Sequence, residues 1–106
     1  MTDDSFTSAL YVDSARLRQR FNELDLLGEL HRGEIVGVVD WERPAQASAG
    51  QIPGTVSQRI FYYREDKLVA VVHQYVRPDG SIGGSGRPDP KWLRDGDVIL
   101  KYRASH

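Results

Sequence analysis

Leu17, Phe21, Leu24 and Leu27 recur at three- and four-residue intervals, with Arg16, Arg18, Arg20, Glu23 and Asp25 falling largely between them. That spacing predicts one amphipathic helix over residues 15–27, packed through a single apolar stripe. Asp13 or Ser14 can accept hydrogen bonds from the free amides of its first turn, and Gly28 is positioned to end it. Upstream, Ala9-Leu10-Tyr11-Val12 reads as a short strand or, by preference, an apolar lead into the helix, and residues 1–10 as a frayed end. The β-branched run from Ile35 to Trp41 predicts a strand buried on much of both faces. Residues 44–54 change to Ala, Gln, Ser, Gly and Pro with no apolar period, which predicts a flexible loop.

The clearest element is a hairpin, in which Arg59 to Arg64 turns through Glu65-Asp66 into Lys67 to Val76. A two-residue turn places Tyr63 opposite Leu68, Phe61 opposite Ala70 and Gln58 opposite His73. Glu65-Asp66 lacks the glycine such a turn favours, which leaves a shifted register open. Arg77-Pro78-Asp79-Gly80 stops the second strand. Residues 77–97 are rich in Gly and Pro. Within them, Asp89-Pro90-Lys91-Trp92-Leu93 has the form of one helical turn, Asp89 capping and Pro90 in the first position. Val98 to Tyr102 reads as a last strand. The sum is one α+β domain over residues 1–106, an N-terminal amphipathic helix on an antiparallel sheet of about four strands.

Composition adds limits. The 106 residues hold no Cys, which excludes disulfides, thiolate catalysis and Cys-based metal sites. No apolar run approaches the roughly 20 residues of a membrane span, and the start lacks a signal-peptide pattern, so the expected address is the cytoplasm. The net charge of −1 conceals a gradient: residues 1–30 carry three Arg against six acids, residues 77–106 six Lys or Arg against four. An anion is therefore better received in the C-terminal third.

Candidate chemistry lies in two places. Four glycines between Gly80 and Gly86, followed by Arg87, Lys91 and the expected short helix, could turn backbone amides and positive charge toward a small anion at residues 83–91. The stretch matches neither a P-loop nor a dinucleotide fingerprint, so no cofactor is expected. The second place is the sheet. Strands alternate faces, so Tyr62, Tyr63, Tyr75, Trp41 and Trp92 cannot all enter one core, and rings beside Arg form a protein-binding patch. His31, His73 and His106 lack ligand spacing, and no metal site is expected.

Two resemblances follow from these residues. Arg77-Pro78-Asp79-Gly80-Ser81, with Gly86-Arg87-Pro88-Asp89-Pro90-Lys91, resembles a signature of small bacterial and phage proteins to which no activity is attached. The hairpin, Arg59-Ile60-Phe61-Tyr62-Tyr63-Arg64 with Val69, Val71, Val72 and His73, is similar to the paired strands of RelE- and ParE-type toxins. That resemblance implies a ribonuclease site of Arg59, Arg64, His73 and Tyr75, with His73 or Tyr75 as acid or base. The slightly acidic net charge and the Gly/Pro-rich segment weigh toward binding without catalysis. The reading that results is a cytoplasmic protein that binds another protein, or itself, through an aromatic and Arg-bearing sheet surface. Its expected contact residues are Tyr62, Tyr75, Arg77, Arg87, Lys91 and Trp92. RNA binding or cleavage is the alternative, and anion or nucleotide binding at the Gly-rich loop the second.

Overall fold

A computed structural model describes residues 8–103 of the chain. Strand β1 (Ser8–Val12) leads to helices α1 (Ser14–Glu23) and α2 (Leu26–His31), followed by β2 (Val36–Pro44), β3 (Val56–Arg64), β4 (Lys67–Val76), β5 (Asp89–Asp95) and β6 (Val98–Tyr102). The strands form one sheet in the order β1-β6-β5-β4-β3-β2. Neighbours from β2 to β6 pair antiparallel, and β1 closes the far edge parallel to β6. The fold is α+β, with six strands in a mixed sheet and two helices rather than four antiparallel strands and one.

The helical stripe forms as its spacing requires. Asp13 accepts from the Arg16 amide at 2.8 Å, starting α1. Leu17 and Phe21 are buried, and the Phe21 ring lies 6.1 Å from that of Tyr62. Arg20 fixes α1 to the β5–β6 turn through two bonds to Asp95, at 2.6 and 3.0 Å. The helix ends earlier than its apolar period suggests, because Asp25 adopts a left-handed φ of 56° and redirects the chain. Gly28, the expected stop, lies inside α2, where a side chain would collide with the Asp25 carboxylate. Both helices cover one face of the sheet, sealing Ile60, Tyr62, Ala70, Val72, Leu93 and Leu100.

Three further expectations are corrected. Ala9–Val12 is a strand, not a lead into α1; of the residues read as frayed, 8–10 belong to β1 and 1–7 lie outside the described residues. The strand around Val36–Trp41 is an edge and not an interior strand, so Val36, Val38 and Val39 are 59%, 47% and 50% exposed. Asp89–Leu93 is not a helical turn: it begins β5, with Pro90 buried opposite Val72. Proline is tolerated there because the β4–β5 ladder shifts register at that point. Residues 44–54 contain a short 3-10 turn, Ala47–Ala49, and close on themselves through the Ala45 amide to the Thr55 carbonyl at 2.9 Å. No helix of the described residues is long and apolar enough to cross a membrane.

Candidate functional site

A sheet covered on one face leaves the other to be explained. Alternation from the observed register places Val38, Trp41 and Arg43 of β2, Ser57, Arg59 and Phe61 of β3, Val71, His73 and Tyr75 of β4, and Asp89 and Trp92 of β5 on the face away from the helices. Among the described residues no helix packs there. The molecule is accordingly thin, 49 × 37 × 23 Å, as expected of one sheet and one helical layer.

The hairpin begins in the expected register, Tyr63 opposite Leu68, but Val69 is an extra residue, after which Tyr62 faces Ala70 and Phe61 faces Val71. His73 therefore stands opposite Arg59 instead of Gln58, which moves both side chains onto the uncovered face. Two more ladders are irregular beside this pair, with Asp40 extra between β2 and β3, and Lys91 extra between β4 and β5. Bulges bend strands and increase their twist. Here they flank the Arg59–His73 pair on both sides.

The concavity at this pair, about 510 Å³, is lined by Trp41, Arg43, Ser57, Arg59, His73, Tyr75 and Lys91, with Gln46, Ser48 and Ala49 forming a wall from the loop after β2. Among the described residues its lining holds three cations and no carboxylate, and at its border Lys91 pairs with Asp89 at 2.9 Å and Arg59 with Asp40. Arg43 lies 4.4 Å above the Trp41 ring, and Arg59, ion-paired to Asp40, reaches the rings of both Trp41 and Phe61. The His73 ring meets Tyr75 edge-on at 4.7 Å, and its Nε2 lies 2.6 Å from Ser57 Oγ.

Burial lowers the pKa of His73, and the charges of Lys91 and Arg43 lower it further against the opposing pull of Asp89. The folded protein therefore binds a proton at His73 less readily than the unfolded chain, whose imidazole titrates near about 6.5. Stability from this group is complete above that pH and declines as the pH falls toward the lowered folded value. Asp95, held down by the Arg20 hydrogen bonds, and Glu34, held down by Arg32, add their losses only at lower pH, in the carboxylate range. Urea midpoints are therefore expected to fall between pH 7.5 and 5.5 in the wild type and to stay level over that interval in His73→Gln. Equal slopes in the two proteins would refute the assignment.

Of the residues singled out in the sequence, Arg59, His73, Tyr75 and Lys91 come together here. Tyr62 does not: it is 1% exposed on the helix side, where burial pushes its phenol up to about 12, and it cannot meet a partner on the uncovered face. Arg64 pairs with Glu29 of α2 at 2.6 Å. Arg77 lies in the turn after β4, its amide bonded to the Ser81 carbonyl, and Trp92 is half-buried farther along the uncovered face. Arg87 donates to Asn22 of α1 at 2.9 Å. The Gly-rich segment forms a smaller hollow with Arg18, Arg87 and Asp89, but the helix expected to add positive potential is strand β5, and Asp89 brings a carboxylate into the lining. That combination is poor for a phosphate. Trp41, one of the aromatic candidates, also lies here, while Arg43 is not singled out by the sequence; its i, i+2 spacing from Trp41, like that of His73 and Tyr75, is the available signal. Comparison with known proteins finds no matching family, no similar curated protein and no similar solved structure.

Proposed function

We propose that the protein works by binding an anionic macromolecule on the uncovered face of its sheet, with single-stranded nucleic acid the chemistry that fits best. One observation carries this reading: Arg43, Arg59 and Lys91 converge with Trp41, His73 and Tyr75 in a concavity that, among the described residues, is lined by no carboxylate. Flat rings stack on bases, while cations between them meet phosphates. A second copy docking face to face would oppose these like charges, so self-association through this face is disfavoured.

The test is fluorescence anisotropy with a labelled twelve-residue oligouridylate. Three phosphate contacts imply a log–log salt slope of about −2. Trp41→Ala should weaken binding by about 1–3 kcal/mol, the usual worth of one stacked base, with little change in thermal midpoint. Absence of binding at low salt, or binding untouched by Trp41→Ala, would refute the reading.

Catalysis is a second reading, favoured by the meeting of Arg59, His73 and Tyr75, the types implied by the toxin resemblance. A neutral His73 has the protonation state of a base, although Ser57 occupies its Nε2. RNA cleavage lost in His73→Gln with binding retained would establish it, and intact RNA after prolonged incubation would dismiss it.

A further inference from the structure

The opposite face holds a second concavity, between α2, β2, the middle of β3 and the Gly-rich segment. Its volume is about 420 Å³, within the range of roughly 300–1,000 Å³ that holds small molecules. The walls come from Leu27, Leu30, Val39, Ile60, Tyr62 and Ile82, with the exposed His31 and half-buried Gln74 also in the lining, and among the described residues no Asp, Glu, Lys or Arg lines it. It exists because α2 is only six residues long and β2 is an edge strand, so neither helix reaches over this corner of the sheet.

Two details indicate a ligand site rather than loose packing. The phenol of Tyr62 makes no side-chain hydrogen bond among the described residues, and the residue as a whole keeps only 1% exposure. Among the described residues the fully buried unpaired atoms are Thr55 Oγ1 and Asp89 Oδ1, not this phenol, so the hydroxyl keeps contact with water in the groove and is free to donate to a ligand that displaces it. Gly37 is the other detail. A Cβ there would come within 3.3 Å of Ile60 Cγ2, 3.5 Å of Leu30 Cδ1 and 3.7 Å of Tyr62 Cε1, so any larger side chain would fill the floor. Its φ is not left-handed, so the backbone does not demand glycine. The missing side chain keeps the space beside the phenol open.

We infer that this groove is a binding site for a small, uncharged, largely apolar molecule that presents one hydrogen-bond acceptor to Tyr62. A charged ligand would find no Asp, Glu, Lys or Arg in the lining, and a purely apolar one would leave the phenol without a ligand partner. The site is independent of the proposed nucleic-acid surface, since it lies across the sheet and shares none of its lining residues.

The probe pair is 2-acetylnaphthalene, which carries a ketone acceptor, and 2-ethylnaphthalene, which has nearly the same shape without one. In methyl-detected NMR titrations of the full chain, both should shift Leu27, Leu30, Val39, Ile60 and Ile82, the ketone with about fivefold higher affinity. Tyr62→Phe should erase that difference and leave the hydrocarbon's affinity unchanged. Gly37→Val should abolish binding of both; if that variant does not fold, the Tyr62→Phe comparison decides alone. No saturable shifts at these methyls, shifts confined to the uncovered face, or a ketone preference that survives Tyr62→Phe would each overturn the assignment.

Discussion

Phe21→Ala is expected to cost about 3–5 kcal/mol of folding stability, a large share of the roughly 5–15 kcal/mol that a small domain has. The ring is 1% exposed and joins α1 to the centre of β3 through Tyr62. With only ten residues, α1 has little stability of its own and depends on this packing. The space left by truncation is bounded by Leu17, Leu26 and Tyr62, which sit on different elements and cannot all close inward. Urea denaturation followed by circular dichroism should show the midpoint falling by about a fifth or more, while Arg16→Ala, at an exposed position of the same helix, should change stability by less than about 0.5 kcal/mol. A Phe21→Ala loss below about 1 kcal/mol would mean that the helical layer is not sealed where the structure places it.

How far the fold could be read depended on the range of the interactions that decide it. The stripe Leu17, Phe21 and the first pair of the hairpin, Tyr63 with Leu68, are local, and both are as expected. The hairpin's bulge was silent, because Leu68 to Val72 is an unbroken apolar run in which an extra residue disturbs no alternation. Non-local pairing decided the rest. Ala9–Val12 is a strand only because β6 returns beside it, and Asp89-Pro90 has the same sequence form whether it starts a helix or enters a ladder. The valines of β2 look like an interior strand because an edge is defined by a missing neighbour, which no residue records.

The site follows the same division. Period-two spacing joins His73 to Tyr75 and Trp41 to Arg43, so each half could be read from its own strand. Bringing the halves together with Arg59 required the register shift at Val69, and adding Lys91 required the bulge in β5. The short helix expected beside the Gly-rich segment was the part that non-local pairing overruled, since Asp89–Asp95 is strand β5. Tyr62, one of five aromatic candidates for a surface patch, is the one whose side chain the register turns toward Phe21, and only the three-dimensional pairing separates it from Tyr63 next door.

Val72→Asp and Val71→Asp should differ more than any other adjacent pair in the chain. Val72 is fully buried on the helix side, opposite Ile60 and Pro90, whereas Val71 is half-buried on the uncovered side, opposite Phe61 and Trp92. A carboxylate at position 72 would have no water and no cation in the apolar cluster around it, and an unpaired buried charge costs several kcal/mol beyond the lost packing. That sum approaches or exceeds the stability of the whole domain, so Val72→Asp should be unfolded at pH 7 by NMR dispersion, and partly rescued near pH 4.5, where the side chain can enter neutral. At position 71 the carboxylate can reach solvent, and the cost should stay near about 1–2 kcal/mol. The comparison tests the two-faced sheet itself. If both variants fold equally well, Val72 is not under a helical layer; if both unfold, the face assigned to a partner is covered, and the cation-rich concavity on it is not open to nucleic acid.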